Sequence, residues 1–204
     1  KAKAFILKAT TIILVSNTLV WFAQAFGWNF RPVEDQGLSI LATLGRAIAP
    51  LLIPLGFVGW QLAAAAITGF IAKENVVATL AVLLSVASEE ALNVPGSALT
   101  QFFTPVTAFA YLVFNLFTPP CFAAIGAMNS EMGSNKWLFR ALAFQLGVGY
   151  TLAMLASQAG SLIMYGKPAS GFVPAIGVSI LIFTGVVIMI RKAEVKRIKL
   201  GVEV

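Results

Sequence analysis

The chain has 204 residues, of which 59% are hydrophobic and only 11% are charged, and its mean hydropathy is +0.89. A soluble domain has about 25% charged residues, so this composition excludes an ordinary soluble protein and indicates one whose main solvent is lipid. The net charge of +6 comes from basic residues crowded at the two ends of the sequence. That distribution is typical of positive-inside anchoring and argues against a nucleic-acid partner.

Four apolar runs are each long enough to cross about 30 Å of hydrocarbon at a helical rise of about 1.5 Å per residue. They lie at about 5–26, 104–128, 137–164 and 171–190. The sequence predicts a helical span from each run. The basic residues on both sides of this set place both termini in the cytoplasm.

The segment 47–90, between the first two runs, is less regular. Its apolar pieces have about 12 to 15 residues, where about 20 are needed for a span. It starts and ends on the outer side in this topology, so it either crosses twice or enters and returns as a re-entrant hairpin. Pro50, Pro54 and a polar insertion at 72–75 favour the hairpin, because irregular backbone at membrane depth is tolerated only where protein or water satisfies it. We expect its break within two or three residues of Lys73.

The predicted fold is therefore an all-α, polytopic membrane protein with about four full spans and a re-entrant or broken helical hairpin. One transmembrane domain covers residues 1–190. The remaining residues, 191–204, are too few and too charged for a domain and are predicted to form a basic cytoplasmic tail.

Lys73 and Glu74, with Asn75 beside them, are the polar residues of the hairpin segment. An ionisable residue inside a membrane costs about 2.5 to 3.5 kcal/mol on insertion scales, so it usually faces a partner, a cavity or a pathway. Either the charged pair only caps and neutralises a buried helix break, or these residues belong to a gate or permeation path. The sequence leaves both interpretations open.

Pro119, Pro120 and Cys121 interrupt the run at 104–128. Proline has no N–H and frees a carbonyl one turn earlier, and a freed carbonyl beside a thiol is a soft coordination point for a divalent metal in transit. Cys121 is therefore the candidate metal ligand, with Pro120 beside the path, and the alternative is that Cys121 is a small packing residue. Because the chain has no histidine, a metal site here needs oxygen or sulfur ligands, or ligands from another chain.

Motifs for covalent chemistry and for energy coupling are absent from the sequence. It has no G-x-x-x-x-G-K-[ST], no H-E-x-x-H, no G-x-S-x-G and no C-x-x-C. We expect no enzymatic activity and no tightly bound cofactor in this chain.

A series of short motifs, in the same order along the chain, resembles the second gate-type repeat of FeoB ferrous iron transporters. The motifs are Leu44-Gly45-Arg46, Ile48-Ala49-Pro50, Pro54-Leu55-Gly56-Phe57 with Trp60, Thr68-Gly69-Phe70-Ile71-Ala72-Lys73-Glu74-Asn75-Val76-Val77, Phe103-Thr104-Pro105, Ala108-Phe109-Ala110-Tyr111, Pro120-Cys121 and Glu131-Met132-Gly133. The similarity covers most of the chain, from the first apolar run to the fourth. Asn75 stands where the family more often has a hydrophobic residue.

This resemblance implies a gate-type domain at 1–190 that carries Fe(II) across the bacterial cytoplasmic, or inner, membrane. FeoB proteins also carry an N-terminal GTP-binding domain and an earlier gate-type repeat, so the implied partners are those two parts and the lipid bilayer. GTP and Mg are expected only on that GTP-binding domain. A homo-oligomer is left open.

Two other functions are compatible with the same fold. One is a gate-fold transporter of nucleosides or other organic solutes, which a polar, aromatic-lined cavity would favour. The other is a non-transporting membrane scaffold. The Pro120–Cys121 motif and the Glu131 segment favour iron.

Overall fold

The structure, a computed structural model, describes residues 2–84, 96, 98–169, 171–181, 184 and 185. Within those residues every regular element is a helix, and an isolated antiparallel bridge joins Phe26 to Pro32. The predicted all-α fold is confirmed. The predicted tail at 191–204 and the end of the hairpin segment at 85–90 lie outside the described residues.

Nine helices are described along the chain. They are α1 (Ala2–Ala25), α2 (Ile40–Leu52), α3 (Trp60–Ile71), α4 (Asn75–Leu83), α5 (Leu99–Phe102), α6 (Pro105–Phe117), α7 (Phe122–Met132), α8 (Asn135–Tyr165) and α9 (Phe172–Leu181). Short 3-10 turns at Gln36–Leu38 and Ile53–Leu55 stand on either side of α2.

Helix length separates α8 from the rest. α8 has 31 residues and is long and apolar enough to cross a membrane by itself, whereas α2 with its 3-10 turn meets that criterion only together with α3, across a bend of 98°. The apolar part of α1, Thr10–Ala25, and helices α6 and α9 are shorter. The predicted span at 137–164 is thus seen as one helix, while the total of four full spans stays a prediction.

The predicted span at 104–128 is broken in two, because α6 ends at Phe117 and α7 begins at Phe122. Pro119 and Pro120 cannot donate helical hydrogen bonds, and a residue before proline is driven out of the α region. Thr118 accordingly has extended dihedral angles, with φ −71° and ψ 162°.

The hairpin break lies at 72–74, between the end of α3 at Ile71 and the start of α4 at Asn75. The prediction of a break within two or three residues of Lys73 is confirmed. A second bend, of 98°, lies between α2 and α3, where Gly56 and Gly59 have φ angles of +79° and +108° that other residues rarely adopt. The sequence did not predict a bend of this size.

The core lies where the hairpin packs on α6 and α8. Gly160 of α8 faces Val106 near the start of α6 and Gly149 faces Phe117 at its end, so these two helices are antiparallel. Rings of Phe57, Tyr111 and Phe114 pack edge to face in this core. Large apolar side chains are left exposed elsewhere, with Ile163 of α8 83% exposed, which suits a helix whose outer face contacts lipid.

Candidate functional site

The end of α6 exposes backbone carbonyls that have lost their helical partners. In an α-helix the N–H of residue i bonds the carbonyl of residue i−4, so Pro119 and Pro120 stand where the donors to Asn115 and Leu116 would be. The last helical bond runs from the Thr118 N–H to the Phe114 carbonyl at 3.0 Å. The carbonyls beyond it need donors from elsewhere in the fold.

Lys73, at the break of the hairpin, supplies those donors. Its Nζ donates to the carbonyl oxygens of Asn115 at 2.6 Å, Thr118 at 2.9 Å and Leu116 at 3.5 Å. The ammonium therefore lies at the negative end of the α6 dipole and replaces the N–H groups that the two prolines lack. This contact joins the tip of the hairpin to the broken helix.

Helix α8 closes the other side of the break. Gln145 Nε2 donates to the Thr118 carbonyl at 3.5 Å, and the Asn115 side chain donates to the Tyr111 carbonyl at 2.9 Å. A Cβ on Gly149 would lie 2.9 Å from the Phe117 carbonyl carbon and the Thr118 nitrogen, so only glycine allows this close approach. The site thus combines backbone carbonyls with the side chains of Asn115 and Gln145.

Cys121 follows the two prolines as the residue preceding α7, and its thiol is free and half-buried. Because Cys121 directly follows the two prolines, it lies at the same break as the carbonyls that Lys73 binds. Pro120, also half-buried, belongs to the same break. The structure therefore brings three of the predicted site residues, Lys73, Pro120 and Cys121, to one place.

Glu74 and Asn75 point elsewhere. Glu74 is exposed, and no ion pair with Lys73 is seen among the described residues, so the charge of Lys73 is met by carbonyls and not by its neighbour. Asn75 Nδ2 donates to Asn17 Oδ1 of α1 at 2.8 Å. A small cleft of about 140 Å³ lies along this α1–α4 contact.

The donor set of the break is weak for a metal. Within the described ranges, no group of three or more His, Cys, Asp and Glu side chains lies together. The ligands that the break does offer are the carbonyl oxygens, the side-chain amides and the Cys121 thiol. Such a set suits brief contact with a cation better than a permanently held ion.

A larger cavity of about 340 Å³ lies at the opposite end of α6. Its polar lining residues are Gln101, Thr104, Thr107, Ser161, Tyr165 and Lys167. Beside it, Ser157 Oγ and Gln158 Oε1 are buried without hydrogen-bond partners, while Gln158 Nε2 donates to the Pro54 carbonyl at 3.0 Å. This cavity was not predicted, because its lining comes from three separate parts of the chain.

Asn115, Thr118 and Gln145 were also missed by the sequence reasoning. An amide side chain inside an apolar run carries the same kind of signal as Lys73, since it needs a polar partner in lipid. Asn115 and Gln145 each interrupt such a run. That signal was available for both.

The model of the Gate family, described as nucleoside recognition, matches residues 6–135. This range covers more than half of the chain and includes both Lys73 and Cys121. The chain belongs to the Gate family. No solved structure matches it.

The Gate region of this chain is similar to iron transporters. The Fe(2+) transporter FeoB of Staphylococcus aureus strain COL is 33% identical over 164 residues, which are 80% of this chain and 24% of that protein. That of Methanocaldococcus jannaschii is 32% identical over 166 residues, 78% of this chain and 24% of that protein. A Porphyromonas gingivalis protein named as a fusion of Fe(2+) transport protein A and FeoB is 30% identical over 141 residues, 64% of this chain and 17% of that protein.

The resemblance seen in the sequence is thus confirmed, and the chain is a helical membrane protein with a FeoB-type Gate region. It spans about a quarter of the length of the first two of these relatives.

Proposed function

We propose that this chain is the transmembrane permease module of a ferrous iron uptake system, and that Fe(II) passes where the hairpin tip meets the broken α6–α7 segment. The similarity to proteins named as Fe(2+) transporters supports the choice of ion. The observation that carries the location is the contact of Lys73 with the carbonyls in front of Pro119 and Pro120, with Cys121 beside it.

The chemistry of this place suits a borderline divalent ion in transit. A thiolate is a soft ligand that Fe(II) accepts, and carbonyl oxygens complete a set that carries little formal charge. A passing ion must bind strongly enough to enter and weakly enough to leave. A break with one thiol and uncharged oxygens meets both conditions.

The position of the break along α8 supports passage across a membrane. Gly149, which touches the break, lies near the middle of this 31-residue helix. The break therefore falls near the bilayer midplane if α8 spans the membrane, and discontinuous helices at that depth are where transporters bind their ions.

The proposed arrangement has about four spans and a re-entrant hairpin, with both termini in the cytoplasm and the protein in the bacterial inner membrane. The energy source lies outside this chain, because no nucleotide-binding motif occurs in it. A GTP-binding domain, with GTP and Mg, and a first gate-type repeat are the proposed partners. Their combination with this chain forms the complete transporter.

The test replaces Cys121 with serine in the intact transporter. Serine is close to cysteine in size but is a harder ligand, so we expect the apparent affinity for Fe(II) to fall by about tenfold or more. Uptake of radioactive iron at limiting concentration, normalised to the amount of protein in the membrane, measures the change. Thr18→Ser, at an exposed position of α1, is the matched control and should behave as the parent.

Equal uptake by the Cys121→Ser protein and the parent would remove the ligand role and leave Cys121 as a packing residue. The amount of protein inserted in the membrane should not change in either variant.

A nucleoside or related solute is the second candidate, because the Gate family is described as nucleoside recognition. The cavity of about 340 Å³ has the size and the mixed lining of a small-molecule site, with Phe102 and Tyr165 among its walls. Uptake of a radioactive nucleoside by the same cells distinguishes the two candidates. Nucleoside uptake without iron uptake would favour this second function, and the absence of both would favour a scaffold.

A further inference from the structure

The Lys73 ammonium lies where a bound cation would lie. Carbonyl oxygens of Asn115, Leu116 and Thr118 converge on Nζ at 2.6 to 3.5 Å, at the negative end of α6. The ends of discontinuous helices and rings of carbonyls bind cations in other membrane proteins for the same electrostatic reason. The break therefore has the form of a cation site that already holds a cation, which is part of the chain itself.

We propose that the Asn115, Leu116 and Thr118 carbonyls form a cation-binding site and that the Lys73 ammonium occupies it as a tethered competitor of the transported ion. The inference rests on the proposed function only for the identity of that ion. The site takes a divalent metal cation, which gains access when the ammonium leaves and loses it when the ammonium returns.

Exchange follows from the charges around the break. Two cations cannot share these oxygens without strong repulsion, since their attraction to neutral carbonyl dipoles is small beside the repulsion between full charges. Glu74, the carboxylate next to Lys73 in the chain, is exposed and makes no ion pair with Lys73 among the described contacts, so it does not offset a second positive charge at the carbonyls. Cys121, the residue after the two prolines, supplies an ionisable thiol at the break.

The same contact keeps the empty path closed. While Lys73 holds the carbonyls, the hairpin tip stays against α6 and the oxygens are unavailable to other cations. The lysine stem has several rotatable bonds, so the ammonium can withdraw without movement of α3 or α4. Lys73 is thus displaced only by a cation that binds the carbonyls and the thiol more tightly than the ammonium does.

The experiment measures Co(II) binding to the intact protein, purified into lipid nanodiscs without oxygen. Co(II) has ligand-field and thiolate absorption bands, so a titration gives an affinity and reports whether Cys121 takes part. The variants are Lys73→Met, Lys73→Gln and Lys73→Arg. Lys136→Met, at an exposed lysine near the start of α8, is the matched control for the loss of one positive charge.

Removal of the tethered charge should tighten Co(II) binding by about tenfold or more in both Lys73→Met and Lys73→Gln, because a unit charge within a few ångströms opposes a divalent ion strongly. Lys73→Arg and Lys136→Met should bind as the parent does. Glutamine keeps an N–H donor for the carbonyls and methionine does not. The comparison of the two variants therefore separates the loss of the positive charge from the loss of the hydrogen-bond donor. Unchanged or weaker binding in both uncharged variants, or an equal gain in Lys136→Met, would overturn the proposal.

Lys73→Ala adds a measurement that needs no gain in affinity. It leaves space at the carbonyls, so methylammonium in solution should compete with Co(II) in this variant and should not do so in the parent. Competition in neither protein, or equally in both, would contradict a site that Lys73 fills. A failure of iron uptake in cells would remove the proposed function but would leave these binding results to decide the competition by themselves.

Discussion

The helical backbone is interrupted between α2 and α3 and again between α6 and α7. The two places differ in the charge of the side chains that bind their carbonyls. Between α2 and α3 the chain turns by 98° at Gly56 and Gly59, and the nearby Ser157 hydroxyl is buried without a partner. Between α6 and α7 the chain is broken by Pro119 and Pro120, and the carbonyls there are bound by Lys73. Carbonyls beside the glycine bend are bound by neutral side chains of α8, whereas those at the proline break are bound by a cation.

The difference shows where a membrane protein needs a polar side chain to bind backbone carbonyls that have no helical donor. At the bend the Gly56 N–H donates to the Ile53 carbonyl at 2.9 Å. The nearby Leu51 and Pro54 carbonyls accept from neutral side chains of α8, those of Tyr150 and Gln158. Two adjacent prolines remove two donors from one helix end, and in lipid each orphan carbonyl would cost several kcal/mol. The half-buried Lys73 ammonium donates to these carbonyls, which is why the proline break carries the candidate site.

The largest effect is expected where the glycine bend has the least room. A Cβ on Gly56 would lie 2.5 Å from Ser157 Oγ, and φ there is +79°. We expect Gly56→Ala to lower the free energy of unfolding by about 3 kcal/mol, from left-handed backbone strain together with overpacking. Denaturation of the intact protein in mixed micelles measures the loss.

Two further variants resolve that loss into its causes. Gly133→Ala has a similar φ of +59° with open space around it, so it should lose only the strain of about 1 to 2 kcal/mol. Ser157→Ala combined with Gly56→Ala should recover the part caused by the clash. Equal losses in Gly56→Ala and Gly133→Ala would show that the bend tolerates a side chain.

A smaller effect is expected at the proline break, where α8 touches the backbone. A Cβ on Gly149 would lie 2.9 to 3.0 Å from the Phe117 and Thr118 backbone, so Gly149→Ala should cost about 2 kcal/mol through overpacking. Gly147 is the matched control, because it lies two positions before Gly149 on α8 and a Cβ there would meet nothing within 4 Å. Gly147→Ala should be neutral or gain up to about 1 kcal/mol from helix propensity.

Iron uptake is a second measurement on the same two variants, Gly149→Ala and Gly147→Ala. Gly149→Ala should reduce uptake as well as stability, because it moves the carbonyls that Lys73 binds. If the two alanine variants had equal stability and equal uptake, α8 would not support the break closely.

The smallest effect is expected at the polar contact beside the hairpin tip. Asn75→Leu breaks the 2.8 Å hydrogen bond to Asn17, and we expect it to cost about 1 kcal/mol, since such bonds between membrane helices are worth about 0.6 kcal/mol on average and one amide is left unpaired. Asn17→Leu together with Asn75→Leu should restore most of the loss. A double variant as unstable as the sum of the single ones would show that the two amides do not act as a pair.

Much of the fold was readable from the sequence because lipid imposes strong rules on composition and length. Apolar runs of about 20 residues predict helices, and an insertion such as 72–75 marks a break because nothing in lipid could pair its polar groups. The proline pair before Cys121 likewise marked a disturbed helix from its missing donors alone. These signals are local, so one sequence was enough to read them.

The tertiary structure decided which groups meet. The sequence left open whether Lys73 and Glu74 only cap a helix break or belong to a permeation path. The described contacts of Lys73 are with carbonyls more than 40 positions away in the chain, at Asn115, Leu116 and Thr118. It also decided that Asn75 contacts α1 and that Gly149 touches the broken helix. Local sequence fixes which backbone acceptors and side-chain charges exist, whereas only the packing of α3 against α6 and α8 fixes their partners, because in a folded membrane protein a buried charge pairs with whatever the neighbouring helices present to it.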